Sequence, residues 1–325
     1  MYSKPDTHPL LNWIPYRFDN SSEKLSIRWL YTENISFTDP FFDETTLKCL
    51  ALANNSRIYT TISNAALLTE AAKEIEHLEP DVFIFHVSRC GSTLISQLLG
   101  LNEAHISLAE VPFFDDILRN QQLSAPQKEE LLSAAIKLMG QKRNGQEKSL
   151  FIKLDSWHIF FYEIFRKLYP ETPFVLLFRS PFEVLQSHIK QPGMQAVQHV
   201  IEPELFGFEP EHISAMPMDQ YTGLVLERYF QVYQDIIEKD PNVLLLNYHD
   251  GIMNIIRETA LFANLTFEEN ELEEMEKRSS FHSKFPDQPF SEKMPAPQIP
   301  SWLQTTMNLF EELKKQQKDL EIAKD

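Results

Sequence analysis

The stretch VFIFHVSRCGSTLISQLL, residues 82–99, decides the fold of this chain. Its first six residues are apolar on both faces, which is typical of a strand buried in a parallel sheet. From Leu94 onward the apolar residues recur at helical spacing, and the turn between the two patterns contains Gly91 followed by two hydroxyl residues. A strand, a glycine turn and a helix that opens with Ser or Thr can cradle a phosphate, because free N–H groups point at the anion. The alternative is an ordinary strand-to-helix turn with a hydroxyl cap.

Four further apolar runs place this unit in a larger sheet. They cover residues 105–110, 149–154, 174–178 and 242–248, and helical periodicity separates most of them. Such alternation predicts right-handed βαβ units. We therefore expect an α/β fold with an open, mostly parallel five-stranded sheet flanked by helices, similar to P-loop NTPases, whose ligands bind at the carboxyl ends of the strands.

The two ends of the chain follow other patterns. Residues 1–80 lack the alternation but are rich in aromatic residues, so we expect an N-terminal extension packed on a core formed by residues 81–325. Residues 286–300 include five prolines, which predict a loop or lid.

Composition excludes several classes of protein. The 325 residues carry 30 basic and 47 acidic side chains, a net charge of −17, which argues against general binding of nucleic acid. The only cysteines, Cys49 and Cys90, form neither a disulfide framework nor a CxxC zinc pair. The chain has no signal-peptide pattern and no apolar run of membrane-spanning length, so we expect a cytoplasmic protein with no membrane partner. Its oligomeric state is left open.

Motifs along residues 81–285 resemble those of the sulfotransferase family that uses 3′-phosphoadenosine 5′-phosphosulfate (PAPS). The cradle, residues 88–93, is similar to the family's 5′-phosphosulfate loop. Arg179 follows a later strand with Ser187 eight residues on, which is the spacing of the 3′-phosphate motif. The family's Tyr-Glu-Asp and Thr-Ser-Phe strings resemble Tyr248-His249-Asp250 and Ser279-Ser280-Phe281.

The resemblance implies a donor site for PAPS and its product PAP. The implied donor-binding residues are Arg89, Cys90, Gly91, Ser92, Thr93, Leu94, Arg179, Ser187, Tyr248, Ser279 and Phe281. Such a donor needs two separate anion sites. We expect no metal, because a sulfuryl group carries less charge than a phosphoryl group and the GxxxxGK[ST] motif of magnesium-dependent NTPases is absent from the sequence.

The catalytic residues depart from the family pattern. After the third strand the family's Lys-Thr-His is replaced by Lys153-Leu154-Asp155, so the histidine base is missing. The resemblance implies that Lys153 contacts the transferred group and that Arg89 serves in both binding and catalysis. Glu110 and Asp155 both follow predicted strands, and either can take the acceptor's proton. We favour Glu110 as the base and expect His158, a third candidate, on a helix surface.

Two further departures concern donor binding. The family's C-terminal loop that closes on the 3′-phosphate is missing, and only Lys284 and Lys293 in the proline-rich segment could replace it. Leu94 stands where the family has an aromatic residue against the adenine.

Three functions follow from these patterns. The first is transfer of a sulfuryl group from PAPS to a hydroxyl or amine of a small-molecule acceptor, whose identity the sequence does not give. The second is a non-catalytic protein of the same fold that binds PAPS or another nucleotide, which the substituted base favours. The third is a metal-dependent P-loop phosphotransferase, against which the missing GK[ST] argues.

Overall fold

A computed structural model of the chain describes residues 8–19, 25–55, 60–281 and 298–322. These ranges contain eight strands: β1 (Trp13–Asp19), β2 (Ser26–Tyr31), β3 (Ile62–Asn64), β4 (Val82–His86), β5 (His105–Ala109), β6 (Ser149–Lys153), β7 (Phe174–Phe178) and β8 (Val243–Asn247). The five apolar runs of the sequence are β4 to β8.

The same ranges contain twelve α-helices, joined in places by short 3₁₀ turns. They are α1 (Phe42–Leu50), α2 (Ala65–Glu74), α3 (Ser92–Leu99), α4 (Pro112–Arg119), α5 (Ala125–Met139), α6 (Tyr162–Leu168), α7 (Pro181–Lys190), α8 (Pro210–Ser214), α9 (Met218–Lys239), α10 (Ile252–Phe262), α11 (Glu269–Ser279) and α12 (Gln304–Ile322). None of the helices in the described ranges has the length and apolar character that a membrane crossing requires.

The strands form two sheets. β1, β2 and β3 form a three-stranded sheet whose neighbours are antiparallel. The other sheet has the order β5-β6-β4-β7-β8, and its β5/β6, β4/β7 and β7/β8 pairs are parallel. Helices separate its strands along the chain, which confirms the predicted α/β class with an open five-stranded parallel sheet.

The chain divides into two compact units, each built from three segments. The first unit contains Met1–Val82, Ser96–Asp155 and Ile164–Pro170, and the second contains Phe83–Ile95, Ser156–Glu163 and Glu171–Asp325. Residues 1–80 therefore share a unit with β5 and β6, and the domain boundary expected at residue 80 stays a prediction.

The first unit contains the antiparallel sheet that sequence periodicity did not reveal. Buried Gln141 at the end of α5 fixes the start of β1, since its side chain accepts a hydrogen bond from Asn12 N at 2.7 Å and donates one to Trp13 O at 3.0 Å. The rings of Phe18 and Phe113 meet edge to face with centroids 5.1 Å apart, which joins β1 to α4. The aromatic residues of the N-terminal region thus pack in a core rather than in a tail.

The second unit is built around β4, β7 and β8, whose residues are buried throughout. The Phe83 and Phe174 rings of neighbouring strands contact each other at 5.3 Å. At the far side of this core, Phe310 of α12 packs against Phe178 with ring centroids 5.7 Å apart. Helix α12 therefore contributes to this core.

The segment after β6 differs from its prediction. Between Trp157 and Leu168 the apolar residues recur at helical spacing, which predicts one helix. In the structure Ser156–Phe161 forms a 3₁₀ helix and only Tyr162–Leu168 is α-helical. His158, expected on a helix surface, is fully buried in the 3₁₀ segment. The expectation of a surface position was wrong because a 3₁₀ helix turns its side chains through 120° per residue, which changes the buried face.

Candidate active site

The loop between β4 and α3 has an unusual backbone. Ser88, Arg89 and Gly91 all have positive φ angles, of 69°, 51° and 78°. Each non-glycine residue in this region costs of the order of 1–3 kcal/mol, so the surrounding structure must hold the loop in place. Turns that combine right- and left-handed residues can direct successive backbone N–H groups toward one point, which is one form of anion site. The predicted cradle therefore stands in a turn with three left-handed residues, and its role in donor binding stays a prediction.

Close packing beneath the loop explains the glycine. A Cβ atom on Gly91 would lie 2.9 Å from both Ile252 Cδ1 and Tyr248 Cε2, so no other residue fits without displacing these side chains. Cys90 is fully buried, with Sγ 3.9 Å from the carbonyl oxygen of Leu177 on β7. Tyr248, predicted as a donor-site residue, thus lies directly against the cradle.

Arg179 connects the two predicted anion sites. Its Nη1 donates to the carbonyl oxygen of Arg89 at 2.9 Å, and its guanidinium carbon lies 4.4 Å from the centroid of the Tyr248 ring. Its Nε donates to Glu183 Oε2 at 2.7 Å, and His249 Nε2 lies 2.9 Å from the same oxygen. Arg179 is only 5% exposed. The cation after β7 and the loop after β4 therefore form one connected structure.

Sequence analysis missed Glu183, which balances part of the Arg179 charge. Its position could have indicated this contact. Glu183 lies four residues after Arg179 on the helix that follows, and opposite charges at this spacing on a helix contact each other.

The side chain of Arg89 is directed to the end of α7. Its Nη2 donates to the carbonyl oxygen of Gln191 at 2.7 Å, and Gln191 N donates to the carbonyl oxygen of Ser187 at 3.0 Å. The side chain of Ser187 is half-buried on the same helix. Arg89 is thus fixed at its main chain by Arg179 and at its side chain by Gln191.

The other predicted cradle residues divide by exposure. Ser92 and Leu94 are buried, while Thr93 is half-buried at the first turn of α3. The expected adenine contacts lie at the end of α11: Ser279 Oγ donates to Glu276 O at 2.7 Å, and Phe281 is 38% exposed. These two residues contact their own helix. Lys284 and Lys293 lie outside the described residues.

Three of the predicted catalytic residues, Glu110, Lys153 and Asp155, lie in the first unit. Glu110 directly follows β5 with a positive φ of 57°, and its N–H donates to the carbonyl oxygen of Lys153 at 2.8 Å. Lys153 Nζ forms a close ion pair with Glu110 Oε1 although the lysine side chain is fully buried. The ammonium nitrogen also lies 5.4 Å from the centroid of the Phe41 ring. The backbone and side chains of the two strand ends are therefore paired.

Asp155 has a different environment from Glu110. Burial raises the pKa of its carboxyl well above the usual value, and the negative charges of Glu110 and Asp115 raise it further, while Lys153 opposes the shift. Glu110, by contrast, is partly exposed, and its carboxylate is paired with the buried Lys153 Nζ. The two candidate bases therefore differ in burial and in their charged neighbours.

Comparison with known proteins identifies the family. The family model described as "Sulfotransferase domain" matches residues 79–298. No curated protein matches the chain.

Three solved structures illustrate the likeness. Sulfotransferase STF1 from Mycobacterium tuberculosis H37Rv is 14% identical, with 65% of this chain and 76% of that chain covered and a TM-score of 0.46. The sulfotransferase domain from the curacin biosynthetic pathway is 16% identical, with coverages of 73% and 99% and a TM-score of 0.47. Mouse sulfotransferase SULT7A1, solved in complex with PAP, is 14% identical, with coverages of 67% and 70% and a TM-score of 0.36.

The match over residues 79–298 includes the cradle, Arg179, Tyr248 and the Glu110–Lys153 pair, and it extends over more than half of the sequence. The chain belongs to the sulfotransferase domain family and is an enzyme that transfers a sulfuryl group.

Proposed function

We propose that this enzyme transfers the sulfuryl group of PAPS to a hydroxyl or amine of a small-molecule acceptor in the cytoplasm. The observation that carries the proposal is the link between the cradle and the second cation, in which Arg179 donates to the carbonyl oxygen of Arg89 at 2.9 Å. PAPS has two anionic groups, the 5′-phosphosulfate and the 3′-phosphate. A loop of left-handed residues and a connected arginine match a ligand of that kind.

The residues of the second unit fit the donor. The main chain of the cradle and Arg89 would hold the 5′ end, where the absence of a side chain on Gly91 lets the loop lie against Tyr248. Arg179 and Ser187 would hold the 3′-phosphate. Arg179 has five N–H donors, and its contacts with Glu183 and Arg89 restrict its orientation. The donor supplies the sulfuryl group and leaves as PAP.

Ser279 and Phe281 complete the proposed donor site at the end of α11. The Phe281 ring is 38% exposed, so one of its faces is accessible for stacking on a base. We propose this role for Phe281 because Leu94, which stands at the family's aromatic position, is buried beside the cradle.

Glu110 is the proposed base. A general base must be ionised before it accepts the acceptor's O–H or N–H proton. Glu110 is partly exposed and paired with Lys153 Nζ, so its carboxylate is accessible to an acceptor, whereas Asp155 is buried and burial, Glu110 and Asp115 raise the pKa of its carboxyl. In this scheme Lys153 contacts the transferred group and Glu110 takes the acceptor's proton.

Calorimetric titration with PAP, adenosine 5′-phosphosulfate and Mg·ATP tests the donor assignment. We expect PAP to bind the wild type far more tightly than Mg·ATP. Arg179→Ala should weaken PAP about 10- to 100-fold, the loss of one charge-assisted hydrogen bond, and affect adenosine 5′-phosphosulfate much less. Arg89→Ala should weaken both ligands, because both carry the 5′-phosphosulfate end or its remnant phosphate.

Transfer of ³⁵S from labelled PAPS to a panel of small alcohols and amines tests catalysis. We expect transfer to at least one acceptor of the panel, and tight Mg·ATP binding without PAP binding would overturn the assignment of PAPS as the donor. Equal losses of PAP and adenosine 5′-phosphosulfate in Arg179→Ala would overturn the 3′-phosphate assignment.

A further inference from the structure

The loop that follows α7 is closed by a buried histidine. His188, on the last turn of α7, is 2% exposed, and its Nδ1 accepts a hydrogen bond from Gly193 N at 3.1 Å. The other ring nitrogen, Nε2, lies 3.4 Å from the side-chain amide of Gln195, which is also buried. The imidazole therefore holds the chain at Gly193, beyond the end of the helix.

The packing around Gly193 leaves little freedom to this loop. A Cβ atom at Gly193 would lie 2.8 Å from Gln195 Oε1 and 3.1 Å from His188 Cε1. Gln191, two residues earlier, supplies the carbonyl oxygen that accepts from Arg89 Nη2 at 2.7 Å. The carbonyl that receives Arg89 and the N–H that His188 accepts therefore lie two residues apart in one short segment.

The charge state of the ring suits this role. Burial and, to a smaller extent, the positive charge of Arg89 lower the pKa of His188 to about 4. At neutral pH the ring is uncharged, so Nδ1 keeps the lone pair that Gly193 N–H requires, and Nε2 carries the proton. A protonated ring could not accept from Gly193 and would repel Arg89.

We propose that His188 is a positioning residue for Arg89 and thereby for the donor cradle. His188 holds Gly193, and this contact fixes the Gln191 carbonyl. The carbonyl in turn orients the Arg89 guanidinium toward the 5′ end of the donor. This inference rests on the proposed function, since it assigns His188 a part in binding PAPS without contact to it.

Two substitutions separate the hydrogen bond from the volume of the ring. His188→Asn places an amide oxygen near the position of Nδ1, so it can still accept from Gly193 N–H. His188→Leu fills similar space without an acceptor. Each change is made in the wild type and in Arg89→Ala, and PAP affinity is measured by calorimetry well below the melting temperature of every variant.

We expect His188→Leu to weaken PAP about tenfold in the wild type, the loss expected of one hydrogen bond, and His188→Asn to restore most of the affinity. In the Arg89→Ala background, His188→Leu should cause no further loss, because residues that act through one another give non-additive effects. A residue with a purely structural role would give equal losses in both backgrounds.

The outcomes separate this inference from the function on which it rests. If the wild type does not bind PAP, the proposed function itself is overturned. If PAP binds and Arg89→Ala weakens it, but His188→Leu does not or is additive with Arg89→Ala, only the role of His188 is overturned. Should His188→Leu fail to fold, Gly193→Ala takes its place in the same cycle, since its Cβ would press on the imidazole and Gln195.

Discussion

Replacement of Gly91 by alanine tests the packing on which the cradle depends. Gly91 has a φ of 78°, where an L-residue costs about 1–2 kcal/mol. The new Cβ would also lie 2.9 Å from Ile252 Cδ1 and Tyr248 Cε2, and such overpacking typically costs about 1–3 kcal/mol. Together the two effects predict that Gly91→Ala lowers the free energy of unfolding by about 2–5 kcal/mol.

Gly207 offers a matched control in the same unit. Its φ of 77° is almost the same, but its added Cβ would meet only the Arg228 guanidinium, at 3.9 Å. Gly207→Ala should therefore cost the backbone penalty alone, about 1–2 kcal/mol. The difference between the two variants isolates the contact of the cradle with Tyr248 and Ile252.

Urea unfolding of both variants, together with calorimetric titration of PAP, measures the two effects. We expect Gly91→Ala to be the less stable variant and to lose most of its PAP affinity, since a displaced Tyr248 no longer packs under Arg179. Gly207→Ala should bind PAP like the wild type. Equal losses of stability, or unchanged PAP affinity in Gly91→Ala, would refute the view that close packing on Tyr248 shapes the cradle.

Two further predictions concern titratable groups. Glu110→Gln should lower turnover by roughly 10²- to 10⁴-fold with PAP affinity unchanged, whereas Asp155→Asn should keep most of the turnover. Steady-state rates of the two variants test this, and the reverse pattern would make Asp155 the base. Because burial lowers the pKa of His188 to about 4 while the unfolded chain titrates near 6.5, the unfolded state binds more protons between these values. The protein should lose up to about 3 kcal/mol as pH falls from 6.5 to 4, and in a pH series of urea unfolding His188→Asn should lose less; identical curves would contradict a neutral buried imidazole.

The parallel sheet could be predicted from the sequence because its signal is local. β4, β7 and β8 are buried on both faces, so each appears as a short run of apolar residues whatever its neighbours are. The antiparallel sheet at the N-terminus gives no such signal. β1 mixes buried and exposed residues around an irregular register between Pro15 and Arg17, so its pairing is a tertiary property.

The candidate site could be predicted only in part, for a similar reason. Glycine and hydroxyl residues after a strand identify the cradle, because the backbone conformation itself selects them. Nothing local distinguishes His188 from a histidine on the solvent face of α7. It is buried in the folded chain and accepts from Gly193, and the carbonyl that receives Arg89 lies in the same segment after the helix.

Helix α7 explains why the spacing between Arg179 and Ser187 matters. Arg179 immediately precedes the helix and holds the main chain of Arg89, while the carbonyl that holds the Arg89 side chain follows the helix at Gln191. Arg89 is therefore held by residues at both ends of α7, whose ten residues span about 15 Å. In a chain with a net charge of −17, carboxylates outnumber the cations that could bind an anionic donor. Glu183 is one such carboxylate, and its bond to Arg179 shows how this chain uses a carboxylate to orient the cation.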